Sequence, residues 1–364
     1  MKLVIDGRES GTSTGRYIDK LIEHLHALKP DFEFTILTKS ARVDFVQRIA
    51  PAFKVVASDY KEFTFAEQLG FLKQVRKQKA DLVHFGMTQQ PVLYRGKSVT
   101  TVHDLITVRF NNPSKNWLTF KLKQMVYRRV IKRVAKKSAH IITPSQWVKD
   151  DLANFSGCRP DKISVIYESA DKIIEPAVPV AGLENTKFLM YVGRPTPHKN
   201  LDKLVEAFAS LIKKYEGLQL VLAGKTDKNY EKLAKKVVRM GLKESVVFTG
   251  FVSEGQLRWL YENCQAYVFP SFSEGFGLPG LEAMVHGAPV IASNATCLPE
   301  VYGSGALYFN PHDPDDIAAK ISSVLDDKNL RQELIKKGSI QAAKYSWQAT
   351  ASQTLKLYQD VLDS

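Results

Sequence analysis

Residues 271–293 read SFSEGFGLPGLEAMVHGAPVIAS and hold two glutamates, Glu274 and Glu282, among Gly275, Gly277 and Gly280. Carboxylates accept hydrogen bonds from hydroxyl groups. Glycines let a backbone approach a ligand closely, and the free N–H groups at a helix start attract an anion. Apolar runs at 267–270 and 289–292 flank the stretch. It therefore reads as a loop at the carboxyl end of a buried strand, running into a helix. Pro279 suits the first turn of that helix, where no N–H is needed. Glu282 is expected in the same turn, stabilised by the helix dipole. Such a loop suits a ligand with both phosphates and hydroxyls, a nucleotide sugar for example. The same residues also make a glycine-rich turn with a capping glutamate, and periodicity alone leaves both readings open.

A second loop has related chemistry. Residues 191–200, YVGRPTPHKN, also follow an apolar run and precede a helical pattern. Arg194 offers a planar fork and Lys199 a point charge, which together could neutralise a pyrophosphate. Solvated loop charges are the alternative, weakened by the glutamate loop at the same sheet edge.

These loops need a scaffold. Short apolar runs alternate with longer helical patterns: strands are expected at 2–6, 32–37, 81–85, 97–104 and 139–145, with helices near 62–78 and 115–137. The rhythm is that of a parallel sheet with crossover helices. Residues 171–186, DKIIEPAVPVAGLENT, interrupt it. The rhythm restarts with runs at 187–193, 218–224, 246–250, 266–271, 288–293 and 306–310, and the chain closes on a helix at 346–362. With 364 residues, two α/β domains are expected: 1–170 on the acceptor side, a linker at 171–186, and 187–345 binding the nucleotide. In doubly wound domains ligands bind at the carboxyl ends of strands.

Composition narrows the function classes. Cys158, Cys264 and Cys297 are scattered and odd in number, which fits a reducing compartment and no metal pattern. The start, MKLVIDGRES, lacks a long apolar region, so a cytoplasmic location is expected. No recognisable nucleic-acid motif occurs, and no G-x-G-x-x-G follows the first strand, which disfavours nucleic-acid binding and a dinucleotide enzyme. The net charge of +13 lies wholly in residues 1–170, where 29 Lys and Arg face 16 Asp and Glu. That half is expected to face something anionic.

Glu274 and Glu282 match the E-x7-E signature, and GR…KN at Arg194 and Lys199 the basic pair, of the retaining glycosyltransferases of family 4. The whole chain resembles that family, most specifically over 188–310. The resemblance implies the GT-B fold, two Rossmann-like doubly wound α/β domains facing a central cleft. It places Glu274 near the donor sugar, Glu282 on the ribose hydroxyls, Arg194 and Lys199 on the pyrophosphate, and backbone amides around Phe276, Gly277 and Leu278 against the donor. GTSTGRY (11–17) resembles the family's glycine-rich loop, with Gly15 near the donor phosphate. TVHDL (101–105) resembles its His-Asp, with His103 near the reacting centre and Asp104 structural. In TPSQW (143–147), Ser145 is either an N-cap or a ligand contact. The final helix, 346–364, is implied to pack back on the N-terminal domain.

The activity so implied is retaining transfer of a hexosyl group, mannosyl as the best guess, from a nucleotide-diphosphate sugar. The acceptor would be a glycan or a lipid-linked glycan in cell-surface polysaccharide synthesis. No cofactor and no metal are expected. The rival readings are a nucleotide-sugar-binding protein without transfer and an epimerase of the same fold. Residues 115–137 carry nine Lys and Arg and no acid, with Leu118, Leu122, Val126, Val130 and Val134 at intervals of four. They read either as a helix packed on the sheet with a solvated basic face, or as a peripheral contact with anionic membrane.

Overall fold

The apolar runs become parallel strands. In the computed structural model every residue is described except 13–14 and 111–116, and the side chains of 117–119 are likewise outside the description. Among the described residues, strands β1 (Lys2–Asp6), β2 (Glu33–Thr38), β3 (Lys54–Ala57), β4 (Leu82–Phe85), β5 (Ser98–Thr101), β6 (His140–Thr143) and β7 (Ile163–Val165) form one sheet in the order β3-β2-β1-β4-β5-β6-β7. Strands β8 (Phe188–Val192), β9 (Gln219–Ala223), β10 (Val246–Gly250), β11 (Ala266–Phe269), β12 (Val290–Ser293) and β13 (Ala306–Phe309) form a second, in the order β10-β9-β8-β11-β12-β13. Every pairing is parallel, with crossover helices between strands. Helices on both faces bury the central strands completely, so β4, β5, β11 and β12 show no exposed residue. The edge strands β3 and β7 are short and half-exposed, which is why an apolar-run criterion passes over them.

The chain divides into two units, Met1–Val108 with Lys121–Glu168 and Ser346–Ser364, and Arg109–Phe120 with Ser169–Tyr345. In the first, the last helix (Trp347–Asp363) packs on the helix Gly15–Ala27. Tyr358 reaches His84 at 2.5 Å, and Lys97 Nζ donates to the Val361 carbonyl at 3.1 Å. In the second, residues 171–186 form no helix or strand but do not run free. The Ile173 N–H donates to His286 Nε2 (3.0 Å), and the Val178 N–H to the Gly255 carbonyl (3.0 Å).

The basic helix, Trp117–Lys137, packs differently from its apolar stripe. Tyr127, Ile131, Val134 and Ala135 are buried, and three of them join a core with Val102, Leu105 and Ile141. Leu122 and Val126 are 58% and 52% exposed. The reason is helical pitch: residues four apart advance by about 40° per step, so the stripe winds around the helix and only its end at Val134 reaches the core. Lys115 and the side chains of Trp117 and Leu118 lie outside the described residues.

Candidate functional site

In the second unit, β8 and β11 are neighbours, so the loops at their carboxyl ends meet. The meeting is made by a residue between strand and helix. Asn200 adopts a left-handed backbone (φ 58°), which asparagine tolerates better than most residues. Its buried amide donates to the carbonyls of Pro270 (2.9 Å) and Pro311 (2.7 Å). The Phe272 N–H donates to the His198 carbonyl at 2.7 Å. Together these bonds fix the short turn Pro197–Lys199 against the glutamate loop.

Lys199 Nζ thereby donates to Glu274 Oε1 at 2.6 Å, while lying 5.4 Å from the centre of the Phe269 ring. Neighbouring His198 is driven down to about 4, first by burial and then by the Lys199 charge, so it is neutral. The Glu274 N–H donates to Thr296 Oγ1 (3.1 Å), and Cys297 Sγ donates to the Glu274 carbonyl (3.3 Å). Burial, and then the Glu274 charge, raise the Cys297 thiol and the Tyr302 phenol, keeping both protonated as donors.

The helix after this loop runs Leu278–Val285 with Pro279 in its first turn. Glu282 is the fifth helical residue, so it sits in the second turn and not the first as its spacing had implied; the helix begins only at Leu278, after the left-handed Gly277. There it is buried and accepts from the Tyr261 hydroxyl at 3.2 Å. The glycines also have a packing role. A methyl group on Gly277 or Gly280 would lie 2.5 or 2.3 Å from Tyr302 Oη, and Tyr302 donates to the Gly277 carbonyl at 2.5 Å. The tyrosine fits because those side chains are absent. Phe276 is buried with its ring against Tyr345. Arg194 follows β8 on the same loop as Lys199 and is exposed.

In the first unit, His103 follows β5. Its Nδ1 lies 3.0 Å from Glu168 Oε1 and its Nε2 3.1 Å from the Gly86 carbonyl. An acceptor faces each nitrogen of the ring. Burial lowers its pKa, but the Glu168 bond and charge, Asp104 and the Gly86 carbonyl outweigh that and raise it above the ordinary 6.5. The Glu168 contact thus favours the protonated ring. Asp104 Oδ1 accepts the Ile106 N–H (2.8 Å). Ser145 is an N-cap, accepting from the Val148 N–H at 3.3 Å. Gly15 opens its helix where a Cβ would stand 1.9 Å from the Glu9 carbonyl.

Comparison with known proteins decides the family. A profile described as Glycosyltransferase Family 4 matches residues 14–172, and one described as Glycosyl transferases group 1 matches 177–341. The chain belongs to the family 4 glycosyltransferases. Its fold is GT-B: it superposes on sucrose-phosphate synthase from Thermosynechococcus elongatus with a TM-score of 0.79 over 100% of this chain and 99% of that one, at 20% identity. It is 32% identical over 278 residues to the serotype-specific mannosyltransferase WbdA of Escherichia coli, covering 74% of this chain and 34% of that protein. It is 33% identical over 203 residues to the O-antigen chain mannosyltransferase RfbU of Salmonella typhimurium, covering 56% of each. The matched region thus spans from about a third to just over half of these relatives.

For this family 4 chain, the structure brings Lys199 and Glu274 into contact and sets Glu282 on the following helix. His103 and Gly15 belong to the first unit. Sequence reasoning missed Glu168, the partner of His103, because nothing local marks a residue 65 positions away. It also missed the clamp made by Asn200, whose signal was present: an asparagine between a strand-end loop and a helix.

Proposed function

We propose that this chain transfers a mannosyl group, with retention of configuration and without a metal, from a nucleotide-diphosphate sugar to a glycan or lipid-linked acceptor of a cell-surface polysaccharide. Family membership supports the reaction class, and the printed names of WbdA and RfbU support mannose and polysaccharide. The observation that carries the reading is the Lys199–Glu274 contact. It holds a cation ready at a strand end, on a loop shared with Arg194.

In the proposed reaction the bond between the sugar C1 and the diphosphate oxygen breaks, and the electron pair leaves with the nucleoside diphosphate. Lys199, Arg194 and the loop amides at Phe276, Gly277 and Leu278 stabilise that developing charge, which lowers the barrier directly. Glu274 lies beside the sugar, and Glu282 takes the ribose hydroxyls. The acceptor oxygen forms the new bond to C1, and its proton passes to the leaving phosphate oxygen. His103, with an acceptor facing each nitrogen, contributes positive charge and position. Gly15 admits the donor phosphate closely.

We place the work at the inner face of the membrane, held there peripherally by the helix Trp117–Lys137. The support is the exposure of Leu122, Met125 and Val126 on a helix without acids. Among the described residues no helix is long and apolar enough to cross a membrane.

Thermal unfolding against a panel of nucleotide sugars, followed by transfer assays in EDTA, tests the function. A ligand that binds only the folded state raises the melting temperature. GDP-mannose is expected to raise it most and to support EDTA-resistant transfer. No shift from any nucleotide sugar would end this reading.

A further inference from the structure

Glu168 is a carboxylate only 4% exposed, in a stretch that belongs to no helix or strand. Its backbone is fixed from two sides. The Ile166 N–H donates to the Thr143 carbonyl at 3.0 Å, carrying the sheet past β7. The Tyr167 carbonyl accepts from Thr350 Oγ1 of the final helix at 2.7 Å. The side chain that follows reaches His103, with Oε1 3.0 Å from Nδ1. A buried charge is costly unless a partner offsets it, and the imidazole is that partner.

The ring is already confined on its other sides. Tyr17 stands edge-on to it at 4.8 Å, and the Tyr17 hydroxyl lies 3.0 Å from Thr101 Oγ1. The Gly86 carbonyl lies 3.1 Å from Nε2. An amide in place of Glu168 would accept from Nδ1 at a lower cost of burial. What the carboxylate adds is charge. Burial lowers the ring's pKa, but the Glu168 bond and charge, Asp104 and the Gly86 carbonyl together raise it above 6.5. The neighbouring His84 and Tyr17 are neutral, because burial holds the first near 3 and raises the second. His103 lines a cavity of about 320 Å³ together with Asp6, Glu9, Lys61, Glu62 and Asp104, and Glu168 is not part of that lining.

We propose that Glu168 is a positioning residue of the transfer reaction: it holds the His103 ring at the cavity wall and sets the charge that the ring presents there. Glu168 acts only through His103. Positive charge on the ring favours a transition state that gains negative charge, so the effect falls on kcat more than on KM. This assignment rests on the transfer reading and adds the residue that governs His103.

A double-mutant cycle tests it. The readout is GDP release from GDP-mannose with octyl α-D-mannopyranoside as acceptor, with melting curves at each pH. Glu168→Gln keeps the size and an acceptor oxygen but removes the charge. It should lose about tenfold in kcat at about pH 8, since one pKa unit changes the protonated fraction tenfold on the alkaline side. The loss should shrink at about pH 6, where the variant's ring regains its proton, and KM for GDP-mannose should change little. In a His103→Gln background the same substitution should have no further effect, because residues acting through one another are not additive. Full activity in Glu168→Gln, an equal loss at both pH values, or an additive loss in the double variant would each overturn the positioning role. If Glu168→Gln does not stay folded at the assay temperature, Glu168→Asp takes its place in the cycle. It keeps the charge but withdraws it by one methylene, so its loss of kcat should vanish in the His103→Gln background, and an additive loss overturns the role. The two failures are separable. No GDP release by the wild type ends the transfer reading and the positioning role with it, whereas GDP release with any of the overturning patterns ends the role alone.

Discussion

Lys199 and Glu274 are 75 residues apart in sequence, and their charged atoms lie 2.6 Å apart. Their side chains are 19% and 9% exposed. The contact adds an ion pair to the hydrogen bonds of Asn200 and Phe272 that already join the two loops. On the proposed reading Lys199 has two tasks, holding the two loops together and holding the diphosphate.

Lys199→Ala is therefore expected to lower both stability and turnover. Leaving Glu274 buried without its cation costs on the order of 2 kcal/mol. Adding Glu274→Gln should restore much of the melting temperature and none of the activity. Arg194→Ala, at an exposed position, should lose turnover at an unchanged melting temperature. Thermal melts alongside steady-state kinetics check all three, and full activity in Arg194→Ala would remove it from the donor site.

Glu282→Ala should weaken nucleoside diphosphate binding by roughly 1.5–3 kcal/mol, the usual scale of a hydrogen bond to a charged group. Tyr261→Phe, which removes the hydroxyl 3.2 Å from Glu282 Oε2, should weaken it less. Titration calorimetry with GDP and UDP measures both. Equal affinity in wild type and Glu282→Ala would take the ribose away from Glu282.

His103 makes stability depend on pH. Its folded pKa is raised above 6.5, so its protonated form contributes stability that is complete below 6.5 and lost as pH rises through the raised value. Glu168→Gln should lower that pKa and shrink the loss. An NMR titration of the His103 ring in both proteins reads the change, and an unshifted midpoint would rule out Glu168 as the cause. His84 acts in the opposite sense. Burial, and then the nearby His103, hold it near 3, so its contribution is lost as pH falls from about 6.5 towards that value.

Gly277→Ala should destabilise by about 1–3 kcal/mol, from a side chain at φ 92° meeting Tyr302. Chemical denaturation gives the magnitude. A neutral substitution would show that the loop can move away from Tyr302.

The exposed half of the basic helix should hold the chain to anionic vesicles at low salt and release it at high salt, because charge attraction at a surface is screened. Leu122→Glu with Val126→Glu should abolish flotation while leaving transfer to a water-soluble acceptor intact. Equal flotation with neutral and anionic vesicles would contradict the electrostatic account.

What this sequence determined alone is local. Short apolar runs, spaced by helical periods, specify parallel strands and crossovers, because burial on both faces admits little else. From the strand ends follow the loops, so Glu274 and Lys199 could be found without coordinates, and the family resemblance adds His103. Tertiary structure decided which loop residues touch and what each contact leaves free. Glu168 holds the His103 ring and favours its protonated form, Asn200 sets Lys199 against Glu274, and Tyr302 uses the space left by two glycines. Glu168 is 65 residues from His103 and Pro270 is 70 from Asn200, and no periodicity encodes such pairs. The basic helix shows the same division. Its charge and its fourfold stripe are plain in the sequence, but only packing against Val102, Leu105 and Ile141 decides which side is buried, because a stripe of period four drifts around a helix of 3.6 residues per turn.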